Sequence, residues 1–487
     1  MTRIRSARFP GLPSSIERPA EATTAGVTLS DVLRLPRAAA TVALVLALAA
    51  ALPAAAVSAQ TDTTPNTTAD ATATTPATST VPTAPGLPTP LAYARLALDF
   101  VEQAAYRVPL VDWQTIRARA EQRAEAAATI TDTYPIIKEA LKSLGDHHSS
   151  FTGPPQAVQQ TAGKYNGFGF LAVLPSRLVV TIAPGSPAAL AGLLVGDRID
   201  KIDGRAPLQS GGAITVARDK NGQFPARITL TIARKGARTA KTAAKTIVVA
   251  QGEVTLVSIP QTVPVPLSLG PGLAYIEVPG IVGDDAAQRQ YATQLQSLIR
   301  AADAPARCGW IIDLRRNRGG YIFAMLAGLG PILGDGLVGG KRDAKGQVAN
   351  WTYGGGVVLE GSTRTVAVDT PYTLSRPDPP VAVLTSGLSA SAAEAVAIAF
   401  RGRPHTRSFG EPTLGLPTFN SRRTMPDGAF LDVMTNVDVD RLGTTYDAAV
   451  PVDELVAIDW SNVGNGRDPV LAAAGRWLEA DPACSGR

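Results

Sequence analysis

Beyond about residue 256, short apolar runs alternate with helical patterns, and this alternation limits what the chain can fold into. The run at 310–314 predicts a strand, and a loop ending in Gly319-Gly320 leads from it into a helical pattern. A second strand is predicted over 380–385, and a helix over 391–400 follows it. Strands that alternate with helices indicate an α/β fold. We therefore predict one α/β domain over 256–480.

The residues before this domain predict two smaller regions. The region 89–155 is expected to be helical, because Thr89 and Pro90 form a helix start and Gly145 is suited to end a later helix. The region 164–252 changes to short alternating strands. The sequence therefore predicts a helical segment followed by a small β-rich domain.

The β-rich region resembles a PDZ domain. It has a glycine-bearing loop, a strand, a short helix within 185–197, a Gly-Asp turn and a further strand, in that order. The resemblance implies that substrate binds at the loop of Gly167, Phe168, Gly169 and Phe170, whose backbone N–H groups would hold a terminal carboxylate. The alternative is a strand module that serves only packing.

The N-terminal residues predict an export leader over 1–59. The uncharged stretch 38–52 follows a basic flank, and Val57-Ser58-Ala59 resembles a signal-peptide cleavage site. An uncleaved membrane anchor is the alternative. The formal charge of the chain is +5, but six of its 46 basic and three of its 41 acidic side chains precede Gln60, which leaves about +2 for the remainder. The basic composition therefore identifies no nucleic-acid partner.

A linker and two cysteines agree with export. Residues 61–86 contain 11 Thr, 5 Ala and 4 Pro, so we predict a disordered linker over 60–88. Cys308 and Cys484 are the only cysteines; they form either one disulfide or two free thiols. No CxxC zinc spacing is present, and we expect neither a metal nor a cofactor.

Ser391 is the candidate nucleophile. It lies in Ser-Ala-Ser-Ala-Ala-Glu between the second predicted strand and its helix. Free N–H groups at a helix N-terminus can stabilise an oxyanion beside a nucleophile, whereas a serine there can also be only a helix cap. The Asp313–Gly320 loop adds glycines that allow close backbone approach. No phosphate-binding motif follows that loop.

Four motifs in order resemble the tail-specific, or C-terminal processing, protease family. They are the glycine loop, the Ser-Ala-Ser segment, residues 410–415 and Pro451-Val452-Asp453. The resemblance covers most of 90–480 and implies a crotonase- or Clp-protease-like α/β core with an inserted PDZ-like domain. It also implies that Ser391 is the nucleophile and that Gly319 or Gly320 and Ala392 form the oxyanion hole.

One departure from the family decides the choice of base. The bacterial branch uses a lysine where this chain has Leu416, and Lys341 and Lys345 are the only lysines beyond 256. His148 lies in an Asp-x-His-Ser segment similar to that of the tricorn-like branch, which implies a Ser391/His148 pair. A polar turn is the alternative interpretation of the adjacent His147 and His148. His147 is the neighbour most easily mistaken for the base, and His405 is expected in a surface loop.

The acid that orients the histidine is less defined by the sequence. The tricorn-like pattern implies Asp447 near the terminal Pro-Asp motif, and Glu394 is the alternative unless it pairs with Arg401 or solvent. The pattern also places a serine before the base, where this chain has His147.

The sequence therefore predicts an exported serine endopeptidase of the tail-specific type. Its partners would be protein or peptide substrates bound by their C-termini, with membrane contact only through an uncleaved leader. A non-catalytic binder of peptides or hydrophobic ligands on the same fold is the alternative. Nucleic-acid binding through Arg315, Arg316 and Arg318 is less favoured, since these arginines can simply flank the site.

Overall fold

A computed structural model describes residues 86–484, except 211, 220–222, 236–241, 256–268, 271 and 305–306. The predicted export leader and nearly all of the predicted linker lie outside the described residues.

The N-terminal region is helical, as the sequence predicts. It contains α1 (Pro90–Ala104), α2 (Trp113–Glu125), α3 (Ile130–Ser143), β1 (Ser150–Thr152) and α4 (Pro154–Thr161), with a 3₁₀ turn at Val108–Leu110. Thr89 caps α1, since its Oγ1 accepts a hydrogen bond from the N–H of Ala92. Gly145, at φ 70°, turns the chain after α3 into the segment that carries His148.

The β-rich region contains nine strands and one short helix among the described residues. They are β2 (Lys164–Gly167), β3 (Phe170–Val173), β4 (Leu178–Ile182), α5 (Pro187–Leu190), β5 (Arg198–Ile202), β6 (Leu208–Ser210), β7 (Ala213–Thr215), β8 (Arg227–Lys235), β9 (Thr242–Ala250) and β10 (Gly252–Thr255). Antiparallel pairing gives the order β6-β7-β3-β4-β5-β8-β9, and β10 pairs with β2. Buried apolar residues from alternate strand positions, such as Ile228, Leu230 and Ile232, form the core of this domain.

The C-terminal region combines a parallel and an antiparallel sheet with helices. Its first half contains β11 (Leu273–Glu277), α6 (Asp285–Ala302), β12 (Gly309–Asp313), α7 (Ile322–Leu333), β13 (Gly336–Asp343), β14 (Val348–Gly354), β15 (Val357–Glu360) and β16 (Thr363–Ala367). Its second half contains β17 (Val381–Thr385), α8 (Ala392–Ala399), β18 (Thr406–Gly410), β19 (Thr418–Thr424), β20 (Phe430–Val439), β21 (Thr445–Tyr446), β22 (Glu454–Leu455) and α9 (Pro469–Ala480).

The two sheets of this region have different roles. In the described residues the parallel sheet has the order β11-β12-β17-β18-β22, and it is buried on both faces. Trp310 and Ile312 of β12 pack on the side of α6 and α7, whereas Ile311 packs on the side of α9. The antiparallel sheet has the order β1-β20-β13-β14-β15-β16, with β19 and β21 also paired to β20. Strand β1 thus joins the N-terminal region to this sheet.

Cys308 and Cys484 form a disulfide, which settles the choice that the sequence leaves open. Cys308 is buried at the start of β12, and Cys484 packs against the same apolar cluster just beyond α9. The bond therefore fixes the C-terminal helix to the parallel sheet. Across the residues that the structure describes, no helix is both long and apolar enough to cross a membrane.

Candidate active site

The two loops predicted to form the site follow neighbouring parallel strands. Strand β12 pairs with β17 in register, with Ile312 opposite Val383, and both strands end at the same edge of the sheet. The Leu314 N–H donates to the Leu384 carbonyl at 2.9 Å, just where the loops begin. The glycine loop and the Ser-Ala-Ser segment therefore leave the sheet side by side, as ligand-binding loops of α/β proteins do.

Serine side chains attach one loop to the other. Ser386 Oγ donates to the carbonyl of Arg315 at 2.6 Å, and Ser389 Oγ donates to the carbonyl of Leu314 at 2.9 Å. The first serine of the Ser-Ala-Ser motif is thus structural. Its hydroxyl is fully buried, so it cannot act as the nucleophile.

The glycine loop is anchored by a buried arginine. The Arg315 guanidinium contacts the Asp313 carboxylate at 2.6 Å and that of Asp468 at 2.8 Å, and all three side chains are buried. Burial alone would raise the pKa of Asp313, but the Arg315 charge holds it below its ordinary value. Because Arg315 is inaccessible, it cannot contact a nucleic acid.

Ser391 has the backbone of a strained turn. It lies just before α8 at φ 54° and ψ −120°, a region that residues with a Cβ rarely adopt. Such conformations persist only where the surroundings enforce them, and they cluster at functional sites. The turn presents a half-buried serine at the N-terminus of a helix.

Gly319 packs directly against this serine. A Cβ at Gly319 would lie 2.9 Å from the Ser391 Cβ and 2.8 Å from the Ala390 carbonyl oxygen, so a side chain does not fit there. Its φ of 97° also favours glycine. The glycine loop and the serine turn are therefore in contact.

The possible oxyanion donors differ in their availability. The Gly319 N–H donates to Oδ1 of Asn317 at 2.8 Å. The N–H groups of Gly320 and Ala392 form no hydrogen bond with another described residue. Gly320 and Ala392 are thus better suited to the oxyanion hole than Gly319, whose role is close packing.

Glu394 connects the serine turn to the segment at 413–416. Its carboxylate accepts hydrogen bonds from the Ser391 and Leu416 N–H groups, each at 2.8 Å, and from Thr413 Oγ1 and the Gly415 N–H. Burial raises the pKa of this carboxyl above its ordinary value, although these hydrogen bonds oppose the rise. The suggested pair with Arg401 is wrong, because Arg401 pairs with Asp453.

The segment of His148 is held by two strands of the antiparallel sheet, β19 and β20. The imidazole Nδ1 lies 2.5 Å from Thr418 Oγ1 at the start of β19, and the His148 carbonyl accepts from Asn420 Nδ2 at 3.1 Å. The next residue, Ser149, accepts at Oγ from the Met434 N–H of β20. The turn itself is closed by Asp146, which accepts from the His148 and Ser149 N–H groups.

The surroundings of His148 favour its neutral form. Burial lowers the pKa of the imidazole below its ordinary value of 6.5, and the charges of Asp146 and Asp432 only partly oppose this. With Nδ1 occupied by Thr418, Nε2 is the nitrogen left to act as a base. A neutral imidazole can accept the proton of a serine hydroxyl.

The structure does not bring every predicted site residue to His148. Asp447 is exposed, and within the described residues no hydrogen bond or ion pair links it to His148 or Ser391. Among the described residues, no hydrogen bond joins the Ser391 hydroxyl to His148. His147 and His405 are both exposed, and His405 Nδ1 lies 3.6 Å from Asp481.

The two lysines beyond residue 256 are also accounted for. The Lys341 ammonium pairs with Glu360 and lies 3.6 Å from the centre of the Phe419 ring. Lys345 is exposed in the hairpin between β13 and β14. Both positions leave histidine as the base that the sequence favours.

Sequence comparisons agree with this geometry. The pattern of the family described as peptidase family S41 matches residues 272–453, and that of the PDZ domain matches 178–234. The matched S41 segment contains the glycine loop and Ser391. Residues 272–453 therefore match peptidase family S41. These matches confirm the predicted resemblance to this protease family, the α/β fold and the PDZ domain.

Relatives and solved structures cover different shares of the chain. The nisin-resistance protein of Lactococcus lactis subsp. lactis is 28% identical over 171 residues, which are 35% of this chain and 52% of that protein. The carboxyl-terminal-processing protease of a Picosynechococcus species is 25% identical over 390 residues, 76% of this chain and 84% of that protein. A solved lipoprotein from Streptococcus agalactiae aligns with a TM-score of 0.49 at 18% identity, over 81% and 97% of the two chains. This chain thus spans about half the length of the first relative.

Sequence reasoning missed Thr418 as the partner of His148. In the S41 domain this threonine begins β19, two positions after Leu416, and it resembles any β-branched residue at the start of a strand. His148 and Thr418 are separated by 270 positions in the sequence, and no motif spacing links them.

Removing the Thr418 hydroxyl should impair the histidine. We expect Thr418→Val to lower kcat roughly tenfold or more, because the Nδ1 partner that orients the ring is lost. The imidazolium also loses an acceptor, so the acidic limb of the kcat/KM profile, expected below pH 6.5 in the unaltered protein, should move to still lower pH. Steady-state hydrolysis of a peptide across pH measures both.

Two further variants serve as controls for Thr418→Val. Thr418→Ser keeps the hydroxyl and should restore the profile. Ser421→Ala removes a hydroxyl from the same strand that bonds to Thr435 instead of His148, and it should leave the profile in place. An unchanged limb in Thr418→Val would show that the hydroxyl does not orient the base.

Proposed function

We propose that this protein is an exported serine endopeptidase in which Ser391 attacks the scissile carbonyl and His148 transfers the proton. The observation that carries the proposal is the strained turn at Ser391, packed beneath Gly319 at the N-terminus of α8. Its Ala392 N–H and that of Gly320 are free to stabilise the oxyanion. In the second half of the reaction, the protonated His148 would donate its proton to the leaving amine.

No acidic residue is required for this proposal. Thr418 takes the position on Nδ1 that a carboxylate holds in a Ser-His-Asp triad. Asp447 remains a candidate acid only if the loop after β21 rearranges when substrate binds. A hydroxyl partner stabilises the imidazolium less than a carboxylate does. This agrees with a His148 pKa below its ordinary value.

The catalytic proposal predicts two residues whose loss abolishes activity. Ser391→Ala and His148→Ala should each lower peptide hydrolysis by roughly a thousandfold or more, because each removes half of the nucleophile–base unit. A fluorophosphonate probe should label Ser391 at neutral pH in the unaltered protein but not in Ser391→Ala. His405→Ala, which changes an exposed histidine directly before β18, should leave both readouts unchanged.

The same experiment separates the proposal from its alternative. Correctly folded protein that neither hydrolyses peptides nor reacts with the probe would favour a binding protein on this fold. His147→Ala should still react with the probe, since its imidazole is exposed and is not needed as the base.

We propose further that the PDZ domain binds substrate C-termini at Gly167–Phe170. Strand β3 pairs with β7 only through Val173 and Ala213, which supports an open edge along the first residues of β3. A peptide could add to that edge with its carboxylate at the preceding loop. Gly169 supports close approach in this loop, because a Cβ there would lie 2.2 Å from the Ser186 Cβ.

Peptide binding to Ser391→Ala protein tests the PDZ proposal. A labelled peptide with a free, apolar C-terminus should bind at least roughly tenfold more tightly than its C-terminal amide. Gly169→Ala should weaken the acid form, whereas Gly204→Ala, also at positive φ but with open space around it, should not. Equal affinity for the acid and the amide would contradict C-terminal recognition.

Export is the third part of the proposal. The leader motif supports it, and so does the Cys308–Cys484 bond, because structural disulfides persist in oxidising compartments. Mass spectrometry of the mature protein should find Gln60 at its N-terminus. A protein that retains residues 1–59 and stays with the membrane fraction would instead indicate an anchor.

A further inference from the structure

A cleft of about 300 Å³ lies between α3 and β1, beside the base histidine. Helix α3 contributes Lys138, Leu141 and Lys142, and the segment around β1 contributes His147, Ser150 and Phe151. Leu141 and Phe151 are buried and form its apolar floor. His147 is next in sequence to His148, so the cleft begins within about one residue length, roughly 3.5 Å of backbone, of the proposed base.

The charges of this cleft are not balanced by the protein. Lys138 and Lys142 are exposed, one helical turn apart on the same face of α3, and neither forms an ion pair with a described residue. Glu139, which lies between them in sequence, instead pairs with Arg123 of α2. The two ammonium groups are therefore available to a ligand.

The one carboxylate in the cleft lining is directed into the protein. Asp146 accepts hydrogen bonds at Oδ1 from the His148 and Ser149 N–H groups and at Oδ2 from Ser149 Oγ. These three donors hold it in the turn that positions His148. It reduces the positive potential of the cleft, yet it leaves the lysine donors without a partner.

The cleft also borders an open sheet edge. Strand β1 is the terminal strand of the antiparallel sheet and pairs on one side only among the described strands, with β20. No described strand covers its other side. An extended peptide can hydrogen-bond to such an edge and place alternate side chains into a neighbouring cleft.

We propose that this cleft binds a carboxylate of an extended peptide substrate, held by Lys138 and Lys142 while the peptide backbone adds to β1. The aliphatic part of an acidic side chain would pack on Leu141 and Phe151. The inference rests on the proposed peptidase function and adds a substrate class to it: peptides with an acidic group within a few residues of the scissile bond. This recognition is separate from that by the PDZ loop.

Binding to Ser391→Ala protein tests the proposal without requiring cleavage. The probes are four fluorescein-labelled ten-residue peptides rich in Thr and Val. Two contain three Glu, and the other two have Gln at the same three positions. One peptide of each kind has a free C-terminal acid and one has a C-terminal amide. The amide removes recognition by the PDZ loop. The Glu amide should bind roughly five- to tenfold more tightly than the Gln amide, and this difference should disappear with Lys138→Ala and Lys142→Ala combined.

Controls make the outcome specific. Lys201→Ala combined with Lys345→Ala removes two exposed lysines elsewhere and should preserve the preference for Glu. A preference only for the free acid over the amide, lost with the α3 lysines, would assign the cleft to the C-terminal carboxylate instead of a side chain. Equal binding of all four peptides, or the same loss in the control pair, would overturn the proposal.

If the proposed peptidase function is wrong, the expected result differs from that of a wrong cleft proposal. In that case Ser391 would not react with a fluorophosphonate, whereas selective binding of the Glu peptides could still be measured. If hydrolysis occurs, the α3 variants should raise KM for Glu peptides with kcat nearly unchanged, as expected for lost ground-state binding.

Discussion

The contact of Arg315 with Asp313 and Asp468 supports the whole site. A buried arginine is costly unless its charge is paired and its donors are satisfied, and here two carboxylates meet that requirement. Asp313 ends β12 and Asp468 caps α9, so the ion cluster joins the glycine loop to the C-terminal helix. The Arg315 carbonyl then accepts the Ser386 hydroxyl of the next loop. The positions of Gly319 and Ser391 depend on this chain of contacts.

A second set of contacts connects Ser391 to His148. Glu394 binds the Ser391 N–H and the N–H groups at Gly415 and Leu416, and the chain continues from there into Thr418, which contacts His148. The loop at 415–418, which links Glu394 to His148, is therefore short and is hydrogen-bonded at both ends.

Replacing a lysine base with histidine changes what the fold must supply. A lysine on the loop at 416 would come from the same region as Glu394. The proposed base, His148, comes instead from the N-terminal region, whose strand β1 pairs with β20. The same strand has an unpaired edge beside Lys138 and Lys142, where we propose that substrate binds.

The sequence by itself determined the α/β and PDZ regions, the helix start at Thr89, and the serine motif. These depend on local periodicity, caps and short motifs, which neighbouring residues specify. Only the tertiary structure decided that Thr418 contacts His148, that Arg315 is buried between two aspartates, and that Glu394 binds the loop at 415 rather than Arg401. It also paired Cys308 with Cys484, 176 residues apart. These contacts join residues distant in sequence, and their partners are set by sheet register and burial, neither of which a local pattern encodes.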